Sequence, residues 1–163
     1  MSLLFKELDI VETVKRVARF FNKDYERLFL LSGSRLTDIS SPALSPAPGH
    51  TGGNHNETAL IQGITAGAMI DAVNDAISKC SYSSQVILKN LLIRKESWQD
   101  VKNQLYCEDH KLGYLRKRAC LEFADAFDVA QIRHKCQPII DLHVYKNDEG
   151  KLTGSKKDRK SVV

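Results

Sequence analysis

The sequence predicts an all-α fold, and three observations carry that prediction. Apolar residues recur at spacings of 3 and 4 through 9–31, 57–80 and 83–127, the period of helices with one buried face. The segment 32–57 between the first two holds three of the four prolines and much of the Gly and Ser, so helix breakers are gathered in one place. Within 83–127 the pattern reads as three helices with two short breaks, and the second break, YCED, is about as long as the turn of a helix-turn-helix. The expected architecture is a long N-terminal helix, a flexible linker, then a helical scaffold with a trihelical helix-turn-helix module.

A chain of 163 residues with 42% hydrophobic residues can bury a real core as one domain or two small ones. It has no run of about 18 apolar residues, so no membrane span is expected. Acidic residues interrupt the start, MSLLFKELDIVET, where a secretory signal would be apolar, so export is not expected. The net charge of +4 permits an anionic partner without requiring one. Its position says more. Between Gln85 and Arg118 eight Lys/Arg face four acids, an excess of +4 that equals the whole chain's in about a fifth of its length.

Taken in order, Asp9–Leu31 is the first long helix. Val14, Val17, Ala18, Phe21, Tyr25, Leu28 and Phe29 form its stripe, with Lys15, Arg16, Arg19 and Lys23 off it. It reads first as a core helix; as a sharper alternative, residues 1–32 form a dimerisation element. Residues 33–56 cannot repay their ordering entropy by burial and read as a linker, whose His50 and His55 are solvated residues rather than metal ligands. Asn56 is placed to cap a scaffold helix over Glu57–Cys80, in which Leu60, Ile61, Ile64, Val73 and Ile77 are apolar and Gly63, Ala66, Gly67, Ala68 and Ala72 permit close helix approach. Ser81–Ser84 break it. Val86, Ile87, Leu88, Leu91 and Leu92 then open a buried support helix. Beyond Phe127, Pro138 should end or kink a helix near Gln137, and Ile139, Leu142, Val144 and Tyr145 allow a short strand or an apolar arm. The helix-turn-helix unit is expected over 57–145, with 146–163 as a disordered basic tail.

Ser97 stands as an N-cap before Trp98, Val101 and Leu105, which share one helical face. After the turn, Glu108 or Asp109 can cap a helix whose Leu112, Leu115, Ala119, Phe123 and Ala126 face inward. That leaves His110, Lys111, Tyr114, Lys117 and Arg118 near the outer faces, a basic and aromatic surface that a major groove accepts. Lys111 can donate to guanine, His110 can donate or accept, and Tyr114 can meet a thymine methyl or a phosphate. Arg116 and Arg118 reach a base or a phosphate according to the helix rotation, and Lys89, Lys95, Lys102 and Lys117 are candidate phosphate contacts. Gly113 inside this helix costs about 1 kcal/mol against Ala. It marks either a close approach of backbone to DNA or a later helix start.

SWQDVKNQL, a short turn and HKLGYLRKRACLEFA resemble the helix-turn-helix of sigma factor region four, with Arg118-Ala119 at the Arg-Ala of its recognition helix. The chain is more similar to the ArpU family of phage and prophage transcriptional regulators. Ala119, Leu121, Phe123, Ala124, Ala126 and Phe127 match that family's tail, and Asp9, Thr13, Val17, Phe20 or Phe21 and Tyr25 match its first helix. The resemblance spans roughly Asp9 to Lys146. It implies a sequence-specific regulator of double-stranded DNA, an activator of phage late genes acting near RNA polymerase. Such a protein would be a homodimer in the bacterial cytoplasm.

Cys80, Cys107, Cys120 and Cys136 are scattered without a CxxC pair, so they read as thiols in a reducing compartment, and no metal site is expected. The neighbours Cys107, Glu108, Asp109 and His110 point in different directions on a turn and do not make a catalytic set. No Walker, GxSxG or HExxH pattern occurs, so neither an enzyme nor a cofactor is expected. Two rivals remain: a phage small-terminase-like packaging protein, which would form a ring, and a helical interaction module that binds no nucleic acid.

Overall fold

In the computed structural model, which describes residues 4–33 and 53–146, the fold is all-α. Asp9 opens the first helix by accepting the Glu12 amide at 3.1 Å. Helix α1 (Ile10–Arg19) runs through a π-helical segment, Phe20–Asp24, into α2 (Tyr25–Ser32). Gly33 ends it in the left-handed conformation, φ 72°. The π segment's i→i+5 bond runs from the Tyr25 amide to the Phe20 carbonyl, and Phe20 and Phe21, three and four residues beyond Val17, are both fully buried.

Helix α3 (Gly53–Ser78) starts earlier than expected, so Asn56 lies inside it and is not its cap. Its buried side is Ala66, Met69, Ile70, Ala72, Val73, Ala76 and Ile77, and it packs against α2 and the last helix. A methyl group at Gly63 would sit 3.3 Å from the Leu31 carbonyl, so the expected close approach is real there. Leu60, Ile61 and Ile64, read from their spacing as the apolar face of this helix, are instead more than half exposed. After Ser81, helix α4 (Tyr82–Val86) begins inside the stretch expected to be a break. It continues as a second π segment, Ile87–Ile93, which buries Ile87, Leu88 and Leu92 together. Helix α5 (Trp98–Leu105) and the long α6 (Asp109–Arg133) follow.

The core is centred on an aromatic cluster that joins the two ends of the chain. Phe21 and Phe123 lie 4.8 Å apart between ring centroids, Phe123 and Phe127 5.0 Å, and Phe20 and Phe127 5.4 Å. The first helix is thus a core helix on its buried face. Beyond α6 the chain turns back as an arm rather than a strand. A single antiparallel bridge, Leu8 to Tyr145, is its only sheet-like pairing among the described residues. Gln131 holds the arm: its amide donates to the Ile140 carbonyl at 2.8 Å and accepts the Ile140 amide at 2.7 Å. Further along, Thr13 Oγ1 accepts the Val144 amide at 3.0 Å, and Arg16 donates to the Asp141 and His143 carbonyls. Among the described residues no helix is long and apolar enough to cross a membrane. His50 and the tail from Asn147 lie outside the described residues, as does the side chain of His55.

Candidate nucleic-acid interface

Ser97 caps α5, its Oγ accepting the Asp100 amide at 3.0 Å. Tyr106, left-handed at φ 50°, ends that helix, and Cys107 and Glu108 complete a short turn into α6. Val101 and Leu112, one from each helix, are fully buried in the common core. The hinge is fastened by Asp109, whose Oδ1 accepts Lys102 Nζ at 2.9 Å and Trp98 Nε1 at 3.1 Å. Those hydrogen bonds, from Lys102 first, pull the Asp109 carboxyl below its usual range. Asp109 also lies in the first turn of α6, where a carboxylate complements the helix dipole. Gly113 is helical, so the later start is excluded, and a Cβ there would meet open space.

The candidate residues fall into three groups. His110, Lys111, Tyr114 and Lys117 are exposed on α6, and among the described residues none of these side chains has a hydrogen-bond or ion-pair partner. Arg118 is also exposed, but its Nε donates to Glu122 at 2.9 Å. Glu122 in turn accepts the Ser81 amide at 2.9 Å at the start of α4, so Arg118 is braced against the support helix. Burial raises the Glu122 pKa, but its bonds from Ser81, Ser84 and Arg118 outweigh this and leave it lowered. Lys102 and Lys95 are engaged inside the protein: Lys102 with Asp109, and Lys95 with the Leu92 carbonyl at 3.1 Å and Glu26 at 3.8 Å. Arg116 stands apart. Five residues beyond Lys111, it is turned about 140° round the helix and faces α1, where it lines a groove with Lys15, Arg19 and Lys23.

Burial makes the thiols of Cys80, Cys120 and Cys136 poor nucleophiles. Cys80, raised to about 11 by burial and the Glu122 charge, and Cys120, raised to about 11 by burial, stay protonated at neutral pH. No metal-binding group among the described residues includes Cys107, Glu108, Asp109 or His110. One group, Asp128, Asp141 and His143, does bring its potential ligand atoms within 4.8 Å of one another. His143 is buried, with Nε2 at 2.8 Å from Asp125 and Nδ1 at 2.8 Å from Asp141 and 3.3 Å from Asp128. Burial pulls its pKa down, but these carboxylates reverse the effect and raise it. A protonated imidazole donating from both nitrogens satisfies this arrangement, so the cluster acts as an ion-paired clasp between the arm and α6. Sequence reasoning missed this clasp and the α1 groove. The Lys15, Arg19, Lys23 spacing of four was visible, whereas nothing local in the sequence links His143 to Asp125 or Asp128.

The chain is 29% identical over 134 residues, 79% of its length and 96% of the relative's, to an Enterococcus hirae protein that bears the name "Putative autolysin regulatory protein ArpU". No family model matches the chain. No solved structure matches it.

Proposed function

We propose that this chain is a sequence-specific, non-enzymatic regulator of transcription that binds double-stranded DNA, with α5, the Tyr106–Glu108 turn and α6 as a helix-turn-helix. The observation that carries this is the N-terminal half of α6. It presents His110, Lys111, Tyr114 and Lys117 outward while Asp109, Val101 and Leu112 fix its mount from behind. A recognition helix reads base edges from that half. Lys111 donates to guanine O6 or N7, His110 donates or accepts, and Tyr114 meets a thymine methyl or a phosphate. Lys89, Lys117 and the guanidinium N–H groups of Arg118 not held by Glu122 neutralise phosphates.

The regulatory name of the Enterococcus hirae relative supports the same direction. Action as an activator of phage late genes, close to RNA polymerase in the bacterial cytoplasm, rests on the ArpU and sigma region-four resemblance. A homodimer suits a two-fold operator. Exposed Leu30, Leu60, Ile61 and Ile64 supply apolar surface for a second copy.

The test is a titration of the protein on the promoter region beside its gene, against scrambled duplex, at two salt concentrations. Promoter binding tighter by about a thousand-fold, and weakened by Lys111→Ala, is expected. Equal, steeply salt-dependent binding to both duplexes would instead support a packaging protein, with light scattering then showing a ring. Absence of binding to either would leave the helical interaction module.

A further inference from the structure

A second cationic surface lies beside the outer face of α6, in the angle between α6 and α1. Lys15, Arg19 and Lys23 follow one another at spacings of four and form a ridge on the first helix. One residue back, Val14, Ala18 and Asn22 form the floor of a groove of about 360 Å³, and Arg116 of α6 closes its far side. Among the described residues no carboxylate lines it. Lys15 has Glu12 at 3.6 Å, an exposed pair of the kind that contributes little. Arg19, Lys23 and Arg116 have no hydrogen bond or ion pair among the described residues. Four like charges around one groove repel one another unless an anion joins them.

Shape and continuity point to the kind of anion. The ridge runs about 12 Å from Lys15 to Lys23, and its cations are exposed, so it suits a repeating polyanion rather than a small enclosed one. Passing round α6 from Arg116 at about 100° per residue, the exposed positions are Asp109, whose charge is paired with Lys102, then Gly113, then Lys117 and His110, then Tyr114. Gly113, with open space where a Cβ would stand, therefore bridges the groove and the face assigned above to base reading. The two cationic surfaces form one belt.

We propose that the α1–α6 groove is a second contact for the phosphate backbone of duplex DNA, gripped by Lys15, Arg19, Lys23 and Arg116. This rests on the DNA-binding function proposed above. The first helix then sets the register of the duplex but reads no sequence, because phosphate contacts position without discriminating bases.

The experiment compares the full chain with Arg19→Ala/Lys23→Ala on promoter and scrambled duplexes over a salt series. Both side chains are exposed, and an unchanged melting temperature confirms that the variant is folded. Loss of two phosphate contacts should weaken both duplexes by a similar factor, roughly tenfold, and flatten the slope of log K against log salt by about 1.8. Unchanged affinity and slope, while Lys111→Ala still weakens promoter binding, would overturn the groove assignment and leave the function standing. A variant that keeps duplex binding but loses binding to poly-glutamate would also overturn it, giving the groove to an acidic protein segment. If the unaltered chain binds no duplex at all, both proposals fall together.

Discussion

The two halves of α6 share one continuous helix but differ in almost everything else. From Asp109 to Arg118 only Leu112 is buried, and four cations face one acid. From Ala119 to Arg133 seven residues are buried, and three acids face one cation. The second half builds the core with Phe123 and Phe127 and anchors the arm through Gln131. The first half is held chiefly at its start, through Leu112 and the Asp109 contacts to Trp98 and Lys102. Rigidity for the outward half is therefore borrowed from the inward half through the unbroken backbone. This is how a helix can present an exposed cationic face at a fixed angle without packing that face against anything.

The contrast predicts opposite phenotypes along one helix. Phe123→Ala removes a fully buried ring from the centre of the aromatic cluster and should cost about 3–5 kcal/mol in chemical denaturation. Lys111→Ala, in the outward half, should stay within about 0.5 kcal/mol of the parent, because it touches no buried feature. A loss below about 1 kcal/mol for the phenylalanine would show that the inward half is not what holds the fold.

Next in size is the arm. Gln131→Leu keeps the volume but leaves the Ile140 amide and carbonyl without their partner, at a cost of about 1–3 kcal/mol. Limited proteolysis should then cut between Gln137 and Tyr145 faster than in the parent. Equal cutting rates would mean that Thr13 and Arg16 suffice to hold the arm.

A smaller effect follows from the His143 clasp, whose carboxylate partners are largely exposed. The folded pKa of His143 is raised, so its contribution is fully present below the unfolded value of about 6.5 and is lost as pH rises through the folded value. The raised pKa of Asp128, caused by burial and then by the charges of Asp141 and Asp125 against that of His143, has the same sign but a different window: its contribution is fully present below about 3.8 and is lost as pH rises through its own folded value. At Asp141, burial raises the pKa, but hydrogen bonds from His143 and the charges of His143 and Arg16 outweigh it. Its contribution is present above about 3.8 and is lost only in acid, below that value. Thermal midpoints should thus fall in the parent as pH rises above about 6.5, and change less in His143→Gln. A parallel fall in both proteins would locate the pH dependence elsewhere.

The same comparison explains what was legible in the sequence. The Ser97 cap, the inward Val101 and Leu112, and the period through Ala119 and Phe123 are local, so spacing alone predicts them. The two π segments were hidden because Phe20-Phe21 and Ile87-Leu88-Leu92 fit the i, i+3, i+4 pattern of an ordinary α-helix, so their spacing carries no mark of the i→i+5 bonds. Leu60, Ile61 and Ile64 follow an apolar helical pattern yet lie exposed, since periodicity does not say whether a partner is present. The rotation of Arg116 toward α1 and the pairing of Gln131 with Ile140 depend on which helix lies alongside. Neither fact is written in local spacing.

The smallest expected effect is the most discriminating. Gly113 is helical and a Cβ there meets nothing, so Gly113→Ala should stabilise the free protein by up to about 1 kcal/mol, through helix propensity alone. A glycine kept at that cost, between Arg116 on one side and Lys117 on the other, is accounted for if a phosphate strand crosses the helix there. The added methyl would then stand where the backbone of the duplex must lie. Gly113→Ala should therefore raise the melting temperature and lower duplex affinity together, weakening promoter and scrambled DNA alike. Stabilisation without loss of binding would separate the groove from the reading face and confine the interface to His110, Lys111, Tyr114 and Lys117. Loss confined to promoter DNA would place Gly113 against a base edge, and make the outward half of α6 a reader along its whole turn.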